Sequence, residues 1–291
     1  MPYESALAAD SFAQQVIVIT GGGSGIGRCT AHELASLGAA VVLLGRSEDK
    51  LINTANEIIE DGGKATYYSV DIRDEDAVDN AIDSILQQHT RVHGLVNMAG
   101  GQFRAPLSHI SKKGFEAVVQ TNLVGGFLMA KTLFNKHFAN HGGNIVNITA
   151  DNKNGMPGMG HSGAARAGVE NLTKTAAWEW GPHGVRVNTV APGWVASSGL
   201  DTYPEDMKQA LRSLKHAVPL GRIASEAEVA ATVCFLLSKG ANFISGQTLF
   251  VDGGSSMGSA PALYPLKHTK QPTSETWNGF HRSVTPRVLQ D

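Results

Sequence analysis

The stretch VIVITGGGSGIG, residues 16–27, constrains this chain more than any other. The β-branched run 16–20 reads as a strand, and Ile26, Ala31, Leu34 and Ala35 recur afterwards at helical spacing. Between them lies Gly21-Gly22-Gly23-Ser24-Gly25-Ile26-Gly27. Glycines at a strand-to-helix turn allow positive φ and close approach to a pyrophosphate, which the helix N-terminal N–H groups then hold. Such a turn alone also suits a plain tight connection. Its place in the first βαβ unit selects the dinucleotide reading, with Gly21, Ser24, Gly25, Ile26 and Gly27 facing the cofactor.

The same rhythm continues along the chain: AVVLLG (40–45), TYYSVDI (66–72), then GLVNMAG, GNIVNIT, VRVNTVAP and TLFVDGG, each followed by a turn and most separated by helical patterns. Alternation of this kind predicts an α/β domain with a parallel sheet of about seven strands. Residues 194–225 interrupt the rhythm late, where loops close over ligands, and mark a substrate loop. Residues 1–11 read as an extension. The tail 257–291 mixes Pro, Lys and Thr with isolated aromatics and is expected to wrap a neighbouring subunit or to lack order.

With 42% hydrophobic residues the chain can fill a large core, while a net charge of -2 gives no support for nucleic-acid or anionic-membrane binding. No uninterrupted apolar run long enough to span a bilayer stands out, so no membrane span is expected. Cys29 and Cys234 fall in apolar helical patterns and read as buried free thiols. No basic, apolar leader pattern and no SKL-type ending is present, and a cytoplasmic location is the expectation. HExxH, paired-cysteine and EF-hand patterns are absent, so no catalytic metal is expected. The second strand ends at Gly45-Arg46 rather than at an acid. A guanidinium there suits the 2′-phosphate of NADP, whereas a carboxylate would suit the ribose of NAD, so NADP(H) is favoured over NAD(H).

TGGGSGIG, Asp71-Ile72, Asn97-Met98-Ala99-Gly100, Asn122 in QTNLVGG and Pro192-Gly193 occur in this order, and with them the chain resembles the short-chain dehydrogenase/reductase family over roughly residues 12–256. The resemblance implies a Rossmann-like doubly wound sheet with helices on both faces, and a homotetramer or dimer built on two long helices. It implies Asp71 and Ile72 by the adenine, Asn97, Ala99 and Gly100 along the ribose, and Pro192, Gly193 and Val195 against the nicotinamide. The family's catalytic set is Asn, Ser, Tyr and Lys. Asn122 is kept, but in GHSGAARAG Ser162 falls on the tyrosine and Arg166 on the lysine, and the usual serine falls on Thr149 or Ala150. This departure is similar to peroxisomal-type trans-2-enoyl-CoA and 2,4-dienoyl-CoA reductases, enzymes of fatty acid metabolism. It is also similar to bacterial relatives assigned to oxidation of terpenoid alcohols such as citronellol.

Without the tyrosine, alcohol oxidation lacks its usual proton acceptor, because arginine stays charged and serine is a weak acid. Conjugate reduction asks mainly for a donor to the oxygen on which charge collects, and Ser162 with Arg166 fits that demand. Ser162 reads equally as a helix cap, and Asn122 as a residue of a kinked helix or of a water chain. Asp151 is the first candidate for proton delivery, with His161 and Tyr203 behind it, while Tyr67 and Tyr68 fall on the adenine side. Gln102, Phe103, His161 and Trp194 are expected around the substrate. The leading expectation is NADPH-dependent reduction of a conjugated C=C bond, in a trans-2-enoyl-CoA thioester. The alternatives are an NAD(P)-dependent dehydrogenase of a terpenoid or other hydrophobic alcohol, with Asp151 or His161 as base, and a non-catalytic dinucleotide-binding subunit.

Overall fold

Strand β1 (Val16–Thr20) is apolar on both faces, with Ile17 and Ile19 on one side and Val18 on the other. A strand of this kind is stable only when both faces are covered. The computed structural model describes Tyr3, Ser5, residues 7–203, 207–257, Leu266 and residues 276–290. Within it β1, β2 (Ala40–Gly45), β3 (Lys64–Ser69), β4 (Gly94–Asn97), β5 (Gly143–Ile148), β6 (Val185–Pro192) and β7 (Thr248–Val251) form one parallel sheet in the order β3-β2-β1-β4-β5-β6-β7. The doubly wound seven-stranded expectation is met. Strand β3 covers residues 64–69 rather than 66–72, so Val70, Asp71 and Ile72 form the turn beyond the sheet edge.

One face is covered by α1 (Gly25–Ser36), α2 (Glu48–Glu60) and the helix Glu226–Leu237. The other carries α3 (Glu75–Gln88), α4 (Lys112–His141) and α5 (Gly160–Trp180). Two more follow in chain order, α6 (Lys208–Ser213) and α7, the helix Glu226–Leu237 already placed. In α4 two π turns, Gln120–Val124 and Phe134–Phe138, interrupt the regular hydrogen bonding. By length and composition α4 could cross a membrane, although its apolar residues form no unbroken run. Here Met129, Leu133 and Phe138 pack it into the core instead.

The order reverses between β1 and β4, so the strand ends diverge there and open a cleft at the carboxyl edge of the sheet. Residues 194–200 cover part of that edge, and the segment 207–225 stops at a capping box, in which Ser225 and Glu228 bond reciprocally and start α7. The described part of the tail, 276–290, folds back on its own chain rather than away from it. Phe280 is 2% exposed, packed at a tilt against His32 and Tyr3 with the Arg28 guanidinium 5.0 Å from its ring, and Arg282 pairs with Asp61. Further on, Val288 donates to Asp201 and its carbonyl accepts from Arg212, which ties the tail to the segment after β6. Residues 258–265 and 267–275 of the tail lie outside the described residues.

Under this tail α1 and α7 bury two carboxyls. Burial pushes Glu33 and Glu226 up to about 7, although Tyr3 and Ser5 donate to Glu33. A folded carboxyl raised above its unfolded value binds more protons than the unfolded chain does, so stability is lost as pH rises through that window. Melting temperature is therefore expected to fall more steeply from pH 5 to pH 8 in the wild type than in Glu33→Gln. His32, lowered by burial, contributes with the opposite sign in both proteins. Parallel slopes in the two proteins would contradict this.

Candidate active site

The cleft holds about 1000 Å³ and runs from the glycine turn past β4 and β5 to the substrate loop. Gly21 has φ +71°, and a side chain there would meet the backbone of Ala99 at 3.0 Å. At Gly27 a Cβ would collide with the Gly21 carbonyl, and Gly25 has φ +55°. The turn thus needs glycine at these positions. Ser24 caps α1 in extended conformation without a side-chain bond, and the first turn carries no acid. Its N–H groups and dipole face the cleft uncompensated, which fits a pyrophosphate.

Arg46 lies at the end of β2, and Ser47 and Lys50 line the cleft beside it. Lys50 was not among the residues singled out from sequence. Its signal was its i+4 spacing from Arg46, and the structure sets it against Gly23, whose Cβ position is 3.0 Å from that of Lys50. Ser47 caps α2 without a side-chain bond. Asp71 also lines the cleft, but the Arg73 guanidinium holds its carboxylate and keeps it down at about 2. Ile72, Ala99, Gly100, Pro192, Gly193 and Val195 border the same space. Asn97 does not. Its amide donates to Gly126 O at 3.1 Å and to Asn147 Oδ1 at 2.9 Å, tying β4 to β5 and α4 behind the cleft. A strand-end asparagine that satisfies a buried partner is turned away from a ligand.

Arg166 reaches the cleft from α5, with Nη1 donating to Ile148 O at 2.6 Å. Desolvation draws the guanidinium down to about 10, which leaves it charged at neutral pH. Its Nη2 lies 2.7 Å from the place a Cβ would take on Gly100, so a side chain there would displace the guanidinium. Asn122, in the first π turn of α4, grips the next residue at both ends. It accepts from Gly101 N at 2.8 Å and donates to Gly101 O at 2.9 Å. A π turn offsets a helix locally, which suits such a reach.

Ser162 is not the N-cap of α5; Met159 is, and Ser162 sits in the first turn, wholly buried. Its hydroxyl donates to Gln102 Oε1 at 2.7 Å, and Gln102 rather than Ser162 borders the cleft. His161 is also wholly buried, its Nδ1 accepting from Ser162 N and its ring edge-on to Phe103 at 4.3 Å. Neither His161 nor Phe103 lines the cleft. The small residues of GHSGAARAG let α5 approach its neighbours, which buries the side chains of its first turn. Of the remaining candidates, Thr149 turns its hydroxyl to Val190 O at 3.4 Å. Asp151 borders the cleft, with Ser255 donating to its carboxylate at 3.4 Å. Trp194 joins it from the substrate loop, and the Tyr203 hydroxyl accepts from Gln102 Nε2 at 3.4 Å. Groups of three or more metal-ligating side chains are absent among the described residues.

A family model described as enoyl-(acyl carrier protein) reductase matches residues 21–256, and the chain belongs to the short-chain dehydrogenase/reductase family. It is 38% identical over 259 residues to the mouse peroxisomal 2,4-dienoyl-CoA reductase, with 88% of each chain covered. Among solved structures, a citronellol catabolism dehydrogenase of Pseudomonas aeruginosa PAO1 is 55% identical with a TM-score of 0.80, over 88% of this chain and 100% of that one. Levodione reductase matches at 29% identity and a TM-score of 0.82, over 85% of this chain and 100% of the other. The chain is an NAD(P)-dependent oxidoreductase.

If Arg46 and Lys50 hold a 2′-phosphate, Arg46→Ala is expected to weaken NADPH about tenfold or more, at roughly 1.5–3 kcal/mol for a charge-assisted bond. Lys50→Ala acts in the same direction by less, and NADH binding changes little in either. Equal losses for both nucleotides, read by titrating fluorescence, would contradict this assignment.

Proposed function

We propose that this protein reduces a conjugated C=C bond in an acyl-CoA thioester, using NADPH. The observation that carries the reading is the composition of the site at the start of α5. Donors and one fixed positive charge stand where an alcohol dehydrogenase of this family needs a phenol, and Ser162 and Arg166 take the tyrosine and lysine positions. A reduced nicotinamide, when bound, supplies hydride to the far carbon of the conjugated system. Gly21 and Ser24–Gly27 would hold its pyrophosphate, Arg46, Ser47 and Lys50 its 2′-phosphate, Asp71 and Ile72 its adenine, and Ala99, Gly100, Pro192, Gly193 and Val195 its ribose and nicotinamide.

During that reduction negative charge gathers on the thioester oxygen, and a single well-placed donor is worth roughly 10²- to 10³-fold in rate. Arg166 supplies positive field there from a site whose desolvation strengthens it. Asp151 is the ionisable acid nearest in sequence to the end of β5 that borders the cleft, and it delivers or relays the proton to the α-carbon. Trp194 provides an apolar wall for the acyl chain. The resemblance to peroxisomal 2,4-dienoyl-CoA reductases supports the same chemistry. A homotetramer built on α4 and α5 belongs to this reading, with Phe127 and Trp178 exposed on those helices.

A second reading, oxidation of a terpenoid alcohol, draws on the 55% identity to a citronellol catabolism dehydrogenase. Alcohol oxidation needs a base at the hydroxyl, and with His161 buried behind Phe103 that base would be Asp151. Incubation with NADPH and crotonyl-, decenoyl- or 2,4-decadienoyl-CoA is expected to consume the reduced nicotinamide absorbance. NADP with citronellol is expected to generate little. Turnover of citronellol alone would replace the first reading by the second.

A further inference from the structure

Resting on the reading above, we propose that the group donating to the substrate oxygen is the Gln102 carboxamide, and that Ser162 acts only through it. Ser162 is fully buried, and its one hydroxyl hydrogen is directed at Gln102 Oε1, 2.7 Å away. A buried hydroxyl must keep an acceptor, so this bond fixes which end of the amide faces which way. If the amide were reversed, its NH₂ would face Ser162 and the serine hydrogen would lose the acceptor it now has. With Oε1 held by Ser162, Nε2 is left to donate elsewhere. One of its N–H groups lies 3.4 Å from the Tyr203 hydroxyl, which in turn donates to Met159 Sδ, and the second has no protein acceptor among the described contacts. Gln102 borders the cleft together with Gly100, Gly101, Asp151, Arg166 and Trp194, and we assign its second N–H to the substrate oxygen there.

The backbone below Gln102 is fixed from two sides. Asn122 holds both polar groups of Gly101, and the Arg166 guanidinium packs under Gly100. A donor on so constrained a loop reorganises little when charge appears, which is the condition for a large electrostatic contribution. In the reduction, the hydride electron pair forms the new C–H bond at the far carbon and the displaced π pair moves along the conjugated system to the thioester oxygen. The Gln102 N–H bonds that oxygen until the pair returns to bind a proton at the α-carbon. The amide itself neither gains nor loses a proton. Ser162 and Asn122 are positioning residues in this scheme.

The test pairs kinetics with a spectroscopic signal that needs no turnover. Acetoacetyl-CoA added to the protein with NADP⁺ is expected to show the near-ultraviolet band of its enolate, held by the same donor. Gln102→Ala and Gln102→Leu should lose that band and lower kcat for decenoyl-CoA about 10²-fold or more, with KM and NADPH affinity changing far less. Ser162→Ala, which keeps the amide but frees its orientation, should lose about tenfold in kcat and part of the band. A benign Gln102→Ala beside a severe Ser162→Ala would make Ser162 the direct donor and overturn the proposal while leaving the reduction reading intact. Should the wild type reduce no enoyl thioester, the reduction reading fails, and the band still decides on Gln102. Present in the wild type and lost in Gln102→Ala, it supports the donor; absent from the wild type, it overturns it.

Discussion

The site depends on how closely the loop after β4 passes over the first turns of α5. At Gly100 a side chain would displace the Arg166 guanidinium and crowd Asn122, and at Gly101 both backbone groups are taken by Asn122 from α4. Two helices that cover one face of the sheet therefore hold a loop that rises from its edge. The sheet supplies the rest of the frame, since its order reverses between β1 and β4 and leaves the cleft open where that loop begins. Loosening the clamp would release Gln102 and the path of Ala99 against Gly21 together.

This constraint explains why a serine can replace a phenol without leaving the position empty. A tyrosine at the third residue of α5 would reach the cleft by its own length, whereas Ser162 stops short and is buried. The distance is covered by Gln102, which comes from the opposite loop and takes the serine hydrogen on its carbonyl end. The site then presents an amide N–H and a guanidinium, both fixed and neither able to exchange a proton readily near neutrality. Such a pair favours a reaction in which charge appears on oxygen and disappears again over one in which an alcohol must be deprotonated. Asp151 remains the ionisable group beside them, across the cleft at the junction of β5 and β6.

The fold was legible because periodicity and turn chemistry are local properties: seven apolar runs, each closed by a turn, became seven strands, and the glycine turn fell where the first βα connection places it. The cofactor side was nearly as legible, since backbone position alone brings Arg46, Ile72, Pro192 and Gly193 to the cleft. Side-chain direction was not. Asn97 was read toward the ribose and turns to Asn147, a partner 50 residues away that no local pattern indicates. Ser162 and His161 are expected beside the substrate from sequence, and small residues surround both. Those same small residues let the helix pack so closely that both are covered. Lys50 was overlooked because a lysine in the first turn of a helix usually means solvent, and only the packing of Gly23 against it gives it a place in the site.

Isotope tracing addresses the central claim, that this site collects charge on a thioester oxygen and not on an alcohol. The protein is incubated with NADPH deuterated at the transferable position and an enoyl-CoA in ordinary water, and then with unlabelled NADPH in D₂O, and the products are read by NMR. The account predicts cofactor deuterium on the far carbon of the conjugated system and solvent deuterium on the α-carbon. With an aldehyde such as citronellal added alongside, deuterium on the carbinol carbon formed from it and none on the thioester would contradict it.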